Sequence, residues 1–371
     1  MPAKLYIDEA VEGHPAVGTV QKSLRQIPLK VVRDASEVHK TLAAGRDPIA
    51  GGKRVLFLTR NQGPFVRKCP GTKSYVCCGY RILHIGAYCT MDCAYCILQA
   101  YFHPPVLEYF VNQEALFAEL DDLFASKKPP FHRIGTGEFT DSLIWEPWTG
   151  LSGTLAPYFG RQDRIVLELK TKTCAVENLK GLSHNRKTIA AWSLNSPAMI
   201  RSEERGTATV KARLRAAAQC EAWGYPLAFH FDPLILYDGW QKDYEGLVRE
   251  LFRTVSAQNV VWISLGSFRF MPFLKPIIRK RFPKSRIVYG ELVPGLDGKM
   301  RYFKPLRIEL YRKMAAWIKD AAPDVLLYFC MEDDEVWEKA LGFVPQDCGG
   351  LAAMLDASAA RHCGVVISHR Y

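Results

Sequence analysis

From residue 81 onward, short apolar runs alternate with patterns of helical periodicity, and this alternation constrains the fold more than any other feature. The predicted strands cover 81–86, 131–135, 164–169, 188–194, 227–231 and 259–264. The predicted helices between them cover 112–126, 208–223 and 241–256. Strands that alternate with helices form right-handed βαβ units around a parallel sheet. We therefore predict an α/β fold with a partial (βα)6 TIM-like barrel over residues 81–286.

The segments on either side of the predicted barrel have different patterns. Residues 1–80 show little periodicity and predict an N-terminal extension with one helix near 35–44 and a strand over 54–59. Residues 287–371 predict a C-terminal segment that begins with a β-hairpin, because Pro-Gly and Asp-Gly turn signals occupy 294–298. Further elements are predicted as a helix over 305–319, a strand over 325–329 and a short helix over 333–341.

Composition narrows the classes of protein to consider. Of the 371 residues, 48% are hydrophobic, so the chain can bury a large core and is not expected to be disordered. It contains neither an apolar run long enough for a membrane helix nor a signal-peptide core at its start, so we expect a cytoplasmic protein without membrane association. The net charge of +11 suits nucleic acid, although an ordinary basic soluble protein would show the same excess.

Three closely spaced cysteines, Cys89, Cys93 and Cys96, carry the strongest chemical signal. They follow a predicted strand, and ligand sites in α/β folds lie at the carboxyl ends of strands. Soft thiolates at this spacing favour an iron–sulfur cluster or zinc, and three ligands leave one coordination position free. Zinc would need a fourth ligand such as His84 or His103, and three buried structural cysteines are a further alternative. The other eight cysteines are scattered and are expected to be mostly core residues.

A short turn after the second predicted strand of the barrel is the next candidate. It comprises Gly135, Thr136, Gly137 and Glu138. Small residues let a ligand approach the backbone, and a carboxylate suits an ammonium group. On its own the pattern would equally fit an ordinary turn.

The cysteine spacing, with Tyr95 before the last cysteine, resembles the signature of radical S-adenosylmethionine enzymes. The resemblance implies that the three cysteines hold a [4Fe–4S] cluster whose fourth iron binds S-adenosylmethionine. It also implies that residues 135–138 correspond to the family element that meets the amino group of S-adenosylmethionine. Reductive cleavage of this cofactor yields a 5′-deoxyadenosyl radical that abstracts hydrogen from a substrate.

The resemblance becomes more specific over residues 54–330, which are similar to spore photoproduct lyases. The matching motifs, in chain order, are Lys68-Cys69-Pro70-Gly71-Thr72, Cys77-Cys78-Gly79-Tyr80, Leu98-Gln99, Thr171-Lys172, His184-Asn185-x-Lys187-Thr188, Ser193-Leu194-Asn195-Ser196, Gly224-Tyr225-Pro226-Leu227 and Glu245-Gly246-Leu247. This family implies a lyase that reverses a pyrimidine-dimer photoproduct in DNA. By position, Lys172 and Ser193 would hold the carboxylate end of S-adenosylmethionine. We also expect a flavodoxin- or ferredoxin-like reductant and a monomer.

Two departures from the family pattern concern the return of hydrogen to the product. The family's hydrogen-donor cysteine follows the second strand, but residues 138–142 contain no cysteine. A tyrosine expected after the last cluster cysteine is Ile97. An O–H bond is much harder to break homolytically than an S–H bond, so Thr140 cannot replace the cysteine. Tyr95, Tyr101, another thiol or the adenosine itself remain candidates for this role.

Residues of the C-terminal part are candidates for DNA contacts. A basic cluster before the hairpin comprises Lys275, Arg279, Lys280, Arg281, Lys284 and Arg286. Phosphate binding is one interpretation and a solvated helix face is the other. Leu296 at the hairpin tip is a candidate wedge for an extruded lesion, and Arg301 and Tyr302 could contact phosphate or a base. A plain surface hairpin is the competing interpretation.

Three functions therefore remain open at the level of the sequence. The first is a radical enzyme that repairs pyrimidine photoproducts in DNA. The second is a radical S-adenosylmethionine enzyme of the same ancestry that acts on another lesion or modified nucleotide, as the missing cysteine would allow. The third is a non-catalytic, metal-bearing protein that binds nucleic acid.

Overall fold

The computed structural model describes residues 1–71, 74–102, 105–126 and 131–367. The strands are β1 (Lys4–Asp8), β2 (Leu29–Val32), β3 (Val55–Thr59), β4 (Val66–Lys68), β5 (Arg81–Leu83), β6 (Gly86–Ala87), β7 (Asp92–Cys93), β8 (Leu107–Phe110), β9 (His132–Gly135), β10 (Ile165–Thr171), β11 (Thr188–Ser193), β12 (Glu204–Arg205), β13 (Leu227–Leu234), β14 (Val260–Ser267), β15 (Arg269–Phe270), β16 (Leu292–Pro294), β17 (Met300–Tyr302) and β18 (Leu327–Phe329). The α-helices are α1 (Pro15–Ser23), α2 (Ala35–Ala43), α3 (Pro48–Gly52), α4 (Leu98–Tyr101), α5 (Gln113–Ala125), α6 (Glu146–Thr149), α7 (Ser152–Gly160), α8 (Pro197–Glu203), α9 (Val210–Ala222), α10 (Trp240–Thr254), α11 (Leu274–Arg281), α12 (Lys304–Ala321), α13 (Asp334–Leu341) and α14 (Leu351–Cys363).

The main sheet has the strand order β18-β14-β13-β11-β10-β9-β5-β4. All neighbouring strands pair in parallel except β4 and β5, which are antiparallel. Almost every residue of β13 and β14 is buried, as expected for parallel barrel strands that pack against helices on one face and against the barrel interior on the other. The predicted α/β partial barrel is confirmed. The predicted strand over 325–329 joins the same sheet as β18, at one of its edges.

The predicted strand over 81–86 is divided between two sheets. β5 belongs to the main sheet, whereas β6 pairs antiparallel with β8 of a second sheet. Gly86 permits this close pairing, because a Cβ atom there would lie 2.5 Å from the carbonyl oxygen of Glu108. The chain therefore leaves the main sheet immediately before the cysteine loop.

The N-terminal residues contain more regular structure than the single predicted helix and strand. A second sheet has the order β2-β1-β3-β8-β6, and its first four strands are parallel. The predicted helix near 35–44 is α2, but α1 and α3 also form. The predicted strand over 54–59 is β3. β1 and β2 escaped prediction because they are only five and four residues long, and β2 lies at an edge with two exposed residues.

The predicted C-terminal hairpin is confirmed, although its first strand starts later than expected. β16 pairs antiparallel with β17, and β17 also pairs with β15. Residues 287–290 precede β16 as turns rather than as part of the strand. α12, which covers the predicted helix over 305–319, packs against α10 and α13.

The loop between β4 and β5 contacts the C-terminal segment. The amide of Val76 donates to the carbonyl oxygen of Glu332 at 3.1 Å. The amide of Leu296 donates to the hydroxyl of Tyr75 at 3.1 Å. Because Glu332 follows β18, these bonds bring together segments that adjoin the two opposite edges of the main sheet. Within the described ranges, no helix combines the length and apolar character that a bilayer crossing requires.

Candidate active site

A cavity of about 660 Å³ lies at the carboxyl ends of the barrel strands, where parallel α/β folds place their ligands. Both apolar and charged side chains line it. Its walls include Cys89, Met91, Cys93, Tyr95, Cys96, Tyr101, Gly137, Glu138, Phe139, Thr140, Lys170, Lys172, Ser193, Asp232, Arg269, Phe270, Phe273, Lys299 and Met331. The cavity therefore brings together the three cysteines and most of the predicted S-adenosylmethionine contacts.

The cysteine loop enters the cavity directly after β6. Tyr88, which precedes the first cysteine, has a φ of 72°, an unusual left-handed conformation for a bulky residue. β7 within the loop pairs with β12 and fixes Cys93 against the barrel. Lys53 of the N-terminal region donates to the carbonyl oxygens of Cys89 at 3.3 Å and Met91 at 2.5 Å. The N-terminal segment thus supports the loop from behind.

The surroundings of Cys89 and Cys93 disfavour their thiolate forms, so a cation is needed to stabilise these thiolates. Burial raises the pKa of the Cys93 thiol to about 12, although the Lys172 ammonium opposes this shift. Burial also raises the pKa of Cys89 far above its usual range, with Lys53 acting in the opposite direction. Thiols in such an environment become thiolates when a metal ion supplies the compensating charge. The donor set therefore fits a thiophilic metal or an iron–sulfur cluster.

In the described ranges, no three His, Cys, Asp or Glu side chains already stand in a metal-binding arrangement. The fit of a cluster consequently rests on the three thiols sharing one cavity wall, and on their chemical softness. His84, the candidate fourth zinc ligand, does not line this cavity. Its ring instead lies edge-on to Phe110 and Phe139, at 4.9 Å between ring centroids in each case. His103 lies outside the described residues.

The predicted turn at 135–138 is divided between the barrel core and the cavity. Gly137 and Glu138 line the cavity, but Gly135 does not. A Cβ atom at Gly135 would lie 1.5 Å from the hydroxyl oxygen of Tyr80, so the glycine is needed for packing in the barrel. The structure therefore gives Gly135 a packing role beside Tyr80, and its contact with a cofactor stays a prediction.

Lys172 stands at the centre of a buried polar network. Its ammonium donates to the hydroxyl of Tyr95 at 2.6 Å and lies 3.5 Å from the carboxylate of Glu204. Tyr95 donates to the same carboxylate, and Arg213 donates to it at 2.6 Å. Arg213 also donates to the backbone carbonyl of Ser193 at 2.8 Å. The network therefore links two predicted cofactor contacts to a predicted catalytic tyrosine.

The network sets the protonation states of its members. Burial alone would raise the pKa of Glu204, but Lys172 and Arg213 hold it at about 2. Burial opposes the charged form of Lys172, yet the Glu204 carboxylate raises its pKa above the usual value. Burial and the same carboxylate raise the pKa of the Tyr95 phenol well above its usual range. Sequence reasoning missed Glu204 and Arg213, because neither lies in a motif and only the fold brings them to the cysteine loop.

A second group of charges forms the floor of the cavity. Asp232 and Arg269 form a bidentate ion pair, with N···O distances of 3.1 and 3.0 Å. Burial lowers the pKa of Lys170, but Glu138 and other nearby carboxylates more than compensate and keep it charged. Beneath this layer, His230 bonds to Glu168 at 2.8 Å and does not line the cavity. Asp232 therefore lines the cavity, whereas His230 does not.

The stretch in which the family resemblance implies a cysteine contains the buried Thr140. Thr140 lines the cavity, and its hydroxyl donates to the carbonyl oxygen of Asp141 at 3.5 Å. Asp141 accepts hydrogen bonds from the backbone amide of Lys172 and the hydroxyl of Thr171, both at 2.7 Å. Tyr101, the other predicted catalytic tyrosine, lies at the rim and is 57% exposed. This part of the wall therefore contains no thiol.

The residues of the predicted basic cluster differ in their exposure and in their contacts. Lys275, Arg279 and Lys280 of α11 are exposed, and the first two lie over the ring of Tyr289. Arg281 is different, because it pairs with Asp92 of the cysteine loop at 3.0 Å and its side chain is 7% exposed. The expectation that Arg281 contacts DNA is corrected: it ties α11 to the cysteine loop.

The predicted hairpin contacts are corrected in the same way. Leu296 is 74% exposed at the tip, as a wedge would require. Arg301 is buried and donates to the Asp297 carboxylate at 2.8 Å and to the Met331 carbonyl at 3.0 Å. Tyr302 is also buried, and its hydroxyl accepts a hydrogen bond from the amide of Leu236 at 3.1 Å. Arg301 and Tyr302 therefore hold the hairpin in place rather than facing a nucleic acid.

Comparison with known proteins gives one consistent result. The family model described as spore photoproduct lyase matches residues 72–304. Spore photoproduct lyases of Bacillus subtilis and of a Geobacillus strain are 28% and 29% identical over 206 residues, which cover 55% of this chain. That of Clostridium acetobutylicum is 25% identical over 223 residues. The matches span 60–64% of the length of these curated relatives.

Solved structures extend the likeness in fold beyond the matched sequence. A spore photoproduct lyase complexed with dinucleoside spore photoproduct superimposes with a TM-score of 0.78 at 22% identity. A mutant with bound AdoMet and the same dinucleoside gives a TM-score of 0.77 at 23% identity. Each comparison covers 89% of this chain and 99% of the other. At this identity the likeness establishes the fold.

Proposed function

The chain belongs to the spore photoproduct lyase family, and we propose that it is a radical S-adenosylmethionine lyase that reverses a pyrimidine-dimer photoproduct in DNA. The observation that carries this proposal is the shared cavity. Cys89, Cys93 and Cys96 line it together with Lys172 and Glu138, the residues that the family resemblance assigns to S-adenosylmethionine. One wall is thus suited to a cluster and the neighbouring walls to a charged nucleoside.

In this proposal the three cysteines hold a [4Fe–4S] cluster, and S-adenosylmethionine binds beside it. When bound, the two cofactors would supply the radical chemistry that removes a hydrogen atom from the lesion. The depth of the cysteines limits contact between water and this chemistry, since Cys89 and Cys93 are both buried. The one-electron reductant is proposed to be flavodoxin- or ferredoxin-like.

The charged side chains of the cavity would orient the cofactor. Glu138 offers a carboxylate to an ammonium group, and Lys172 offers an ammonium to a carboxylate. Ser193 lies at the end of β11, with its backbone carbonyl fixed by Arg213. Glu204 keeps Lys172 charged, so that its contact with a cofactor carboxylate would persist across neutral pH.

Two tyrosines are proposed to take part in the radical chemistry. Tyr95 lines the cavity beside the cluster cysteines, and its hydroxyl is held by Lys172 and Glu204. Because the phenol stays protonated, it retains a hydrogen atom that could be donated. Tyr101 stands at the rim, where a DNA-bound lesion would enter.

We also propose how damaged DNA reaches the cavity. Lys275, Arg279 and Lys280 would bind phosphates, because they are exposed on one helix close to the cavity wall formed by Phe273. Leu296 would fill the gap that an extruded lesion leaves in the base stack. A cytoplasmic location and a monomeric state remain predictions.

A second candidate function is supported by Thr140. Since the family's donor thiol is absent at this position, the chain could process another lesion or modified nucleotide with the same radical chemistry. The two functions differ in substrate and share their cofactors. The third interpretation, a metal-bearing protein without catalysis, would leave S-adenosylmethionine intact.

The test is anaerobic reconstitution followed by incubation with a panel of ultraviolet-damaged oligonucleotides. We expect 5′-deoxyadenosine to form and one photoproduct to revert to intact pyrimidines, and we expect neither in a Cys93→Ala variant. Cleavage of S-adenosylmethionine with no change in any photoproduct would favour the second function. Intact S-adenosylmethionine in a reconstituted protein that binds damaged DNA would favour the third.

A further inference from the structure

Three charged side chains of β10 and the residue after it share the inward face of the strand, because they occupy alternate positions. They are Glu168, Lys170 and Lys172. The carboxylate of Glu168 bonds to His230 at 2.8 Å, and the ammonium of Lys172 donates to the hydroxyl of Tyr95 at 2.6 Å. The ammonium of Lys170 has no hydrogen bond and no ion pair within the described ranges of the chain. Lys170 therefore differs from both of its neighbours.

The position of Lys170 is fixed although its ammonium is not bonded. Its carbonyl oxygen accepts a hydrogen bond from the amide of Ser142 at 3.1 Å. Gly137 leaves room for its side chain, since a Cβ atom at Gly137 would lie 3.1 Å from the Cβ atom of Lys170. The side chain is partly exposed and lines the cavity. Lys170 therefore offers up to three hydrogen-bond donors to a molecule in the cavity.

The charges near Lys170 favour a neutral acceptor over a phosphate group. Glu138 and Asp232 line the cavity and act on Lys170, and Asp232 is paired with Arg269 at 3.0 Å. Two carboxylates thus balance two cations, and these four side chains carry no net charge. Burial lowers the pKa of Lys170, but the carboxylates raise it above its usual value, so the ammonium stays charged. A carbonyl oxygen can accept a charge-assisted hydrogen bond here without disturbing this balance.

The proposed cofactor contacts leave Lys170 to a second molecule. In the proposed function, Lys172 and Ser193 meet the carboxylate of S-adenosylmethionine beside the cysteine loop. Lys170 lies about 7 Å from Lys172 along the strand, toward the barrel interior. Phe139 and Phe270 also line the cavity and offer aromatic faces to a planar ring. A pyrimidine of the lesion matches both the aromatic walls and the cationic donor.

The orientation of an entering pyrimidine decides which of its atoms reaches Lys170. The base is attached to its sugar through N1, and the sugar stays with the DNA backbone at the rim. C4 lies across the ring from N1, so the group on C4 is the deepest part of the base. This group is a carbonyl in thymine and uracil and an amino group in cytosine. We propose that Lys170 donates a hydrogen bond to the C4 carbonyl of one pyrimidine of the lesion, an inference that rests on the proposed function.

This contact makes Lys170 a residue that determines specificity. An ammonium group has donors only, so it cannot pair with the amino group of a cytosine-type base. A site built to hydrogen-bond one group of a substrate rejects an analogue that lacks it, because the buried polar group is then left without a partner. Lys170 therefore selects a lesion with a C4 carbonyl at this position.

The first test measures the binding of three ligands to the anaerobically reconstituted protein without reductant. They are the dinucleoside photoproduct, which has no phosphate, the corresponding dinucleotide, which has one, and S-adenosylmethionine. In Lys170→Met we expect both photoproducts to bind about tenfold or more weakly, by the same factor, and S-adenosylmethionine to bind normally. Lys172→Met should show the opposite pattern. Lys180→Met changes an exposed lysine and is the matched control, with normal binding of all three.

Other patterns in Lys170→Met would overturn the inference. Weak binding of the dinucleotide alone would show a phosphate contact, and weak binding of S-adenosylmethionine alone would show a cofactor contact. Unchanged binding of all three would exclude any contact, and an equal loss of all three would show a structural role. Since methionine replaces an ammonium that has no hydrogen bond in the described chain, the urea midpoint should not fall.

The second test uses the wild-type protein, so it does not depend on the folding of a variant. In two analogues of the dinucleoside photoproduct, an amino group replaces the C4 carbonyl of one pyrimidine or of the other. Wild type should bind one analogue about tenfold or more weakly than the parent dinucleoside. Lys170→Met should bind that analogue and the parent equally. Equal binding of the parent and both analogues by wild type would contradict the inference.

The two proposals fail in different ways. If the wild-type protein neither binds nor repairs any photoproduct, the proposed function is lost and the role of Lys170 is lost with it. If the wild-type protein binds and repairs one, and Lys170→Met binds it equally well, only the role of Lys170 is lost.

Discussion

The inner end of the cavity and its outer rim use the same residue types for opposite purposes. At the inner end, Arg213 is fully buried and bonded to Glu204. At the rim, Arg279 is exposed, with the ring of Tyr289 as its neighbour. Buried guanidinium groups hold the site together, whereas exposed ones remain available for a polyanion. The comparison teaches that charge in the sequence acquires a function only through its surroundings.

The largest effect is expected from breaking the buried ion pair at the inner end. Arg213→Ala leaves the Glu204 carboxylate buried without its nearest cationic partner, and should lower the free energy of unfolding by about 3–5 kcal/mol. Arg279→Ala at the rim should change it by about 0.5 kcal/mol or less. Urea unfolding of both variants measures the difference. Equal midpoints for the two would show that the inner network is not a structural tie.

The next largest effect is expected in the hairpin, where Arg301 is buried and has a structural role like that of Arg213. Arg301→Ala removes one of the two cationic partners of Asp297, the other being Lys299, and should lower the free energy of unfolding by about 1–3 kcal/mol. Limited proteolysis should then cut within residues 292–302 faster than in wild type. The nearby, partly exposed Lys304 provides a control, because Lys304→Ala removes only ion pairs close to the surface. An unchanged cleavage rate in Arg301→Ala would place Arg301 outside the hairpin's support.

The same ion pair predicts a pH dependence. Burial raises the pKa of Asp297, but hydrogen bonds from Arg301 and Lys299 hold it at about 2, below the ordinary value of 3.8. A lowered pKa means that the stabilisation is complete above pH 3.8 and is lost as the pH falls toward 2. As the pH is lowered through this interval, an acid-stable protease should therefore cut the hairpin faster. In Asp297→Asn the cutting should be fast at both ends of the interval.

At the rim, the expected effect is on DNA affinity rather than on stability. Replacing Lys275 and Arg279 by alanine should weaken binding of damaged duplex and reduce the slope of log affinity against log salt by about two. Arg253 of α10 is equally exposed and is not part of the proposed surface. Arg253→Ala is therefore the matched control and should keep the wild-type slope. A reduced slope in Arg253→Ala as well would indicate that binding follows overall charge.

The smallest effect is expected at the hairpin tip. Leu296→Asp should weaken binding of a lesion in duplex DNA severalfold and leave binding of the free dinucleoside unchanged, because only the duplex needs a wedge. Fluorescence anisotropy with the two ligands separates these cases. Val293 is exposed on the same hairpin, so Val293→Asp controls for an added charge. Normal binding and processing of damaged duplex by Leu296→Asp would exclude the wedge.

The parts of the fold that sequence predicts well are those governed by local pattern. The barrel strands are long apolar runs between helices, so their order and type follow from periodicity. In the N-terminal sheet only β3 was predicted, because β1 and β2 are short and the pairing of β3 with β8 spans many residues. The division of 81–86 between two sheets depends on the contact of Gly86 with Glu108, which no local pattern contains.

The residues of the candidate site show the same difference between local pattern and tertiary contact. The cysteine loop and Lys172 were identified because they lie in motifs of fixed spacing. Arg281 and Arg301 were assigned to DNA because sequence shows charge and does not show burial. Glu204 was missed because its partners, Tyr95 and Arg213, are brought together only by the tertiary structure. A motif therefore predicts chemistry more reliably than a count of charges predicts an interface.

The account depends most on a cluster held by three cysteines with one iron free to bind S-adenosylmethionine. The most direct measurement is electron paramagnetic resonance of the anaerobically reconstituted and reduced protein, before and after S-adenosylmethionine is added. We expect the signal of a reduced [4Fe–4S] cluster whose g values change on addition, and no such signal in Cys93→Ala. A signal that the nucleoside leaves unchanged, or a stoichiometric zinc ion bound by the three cysteines, would contradict the account.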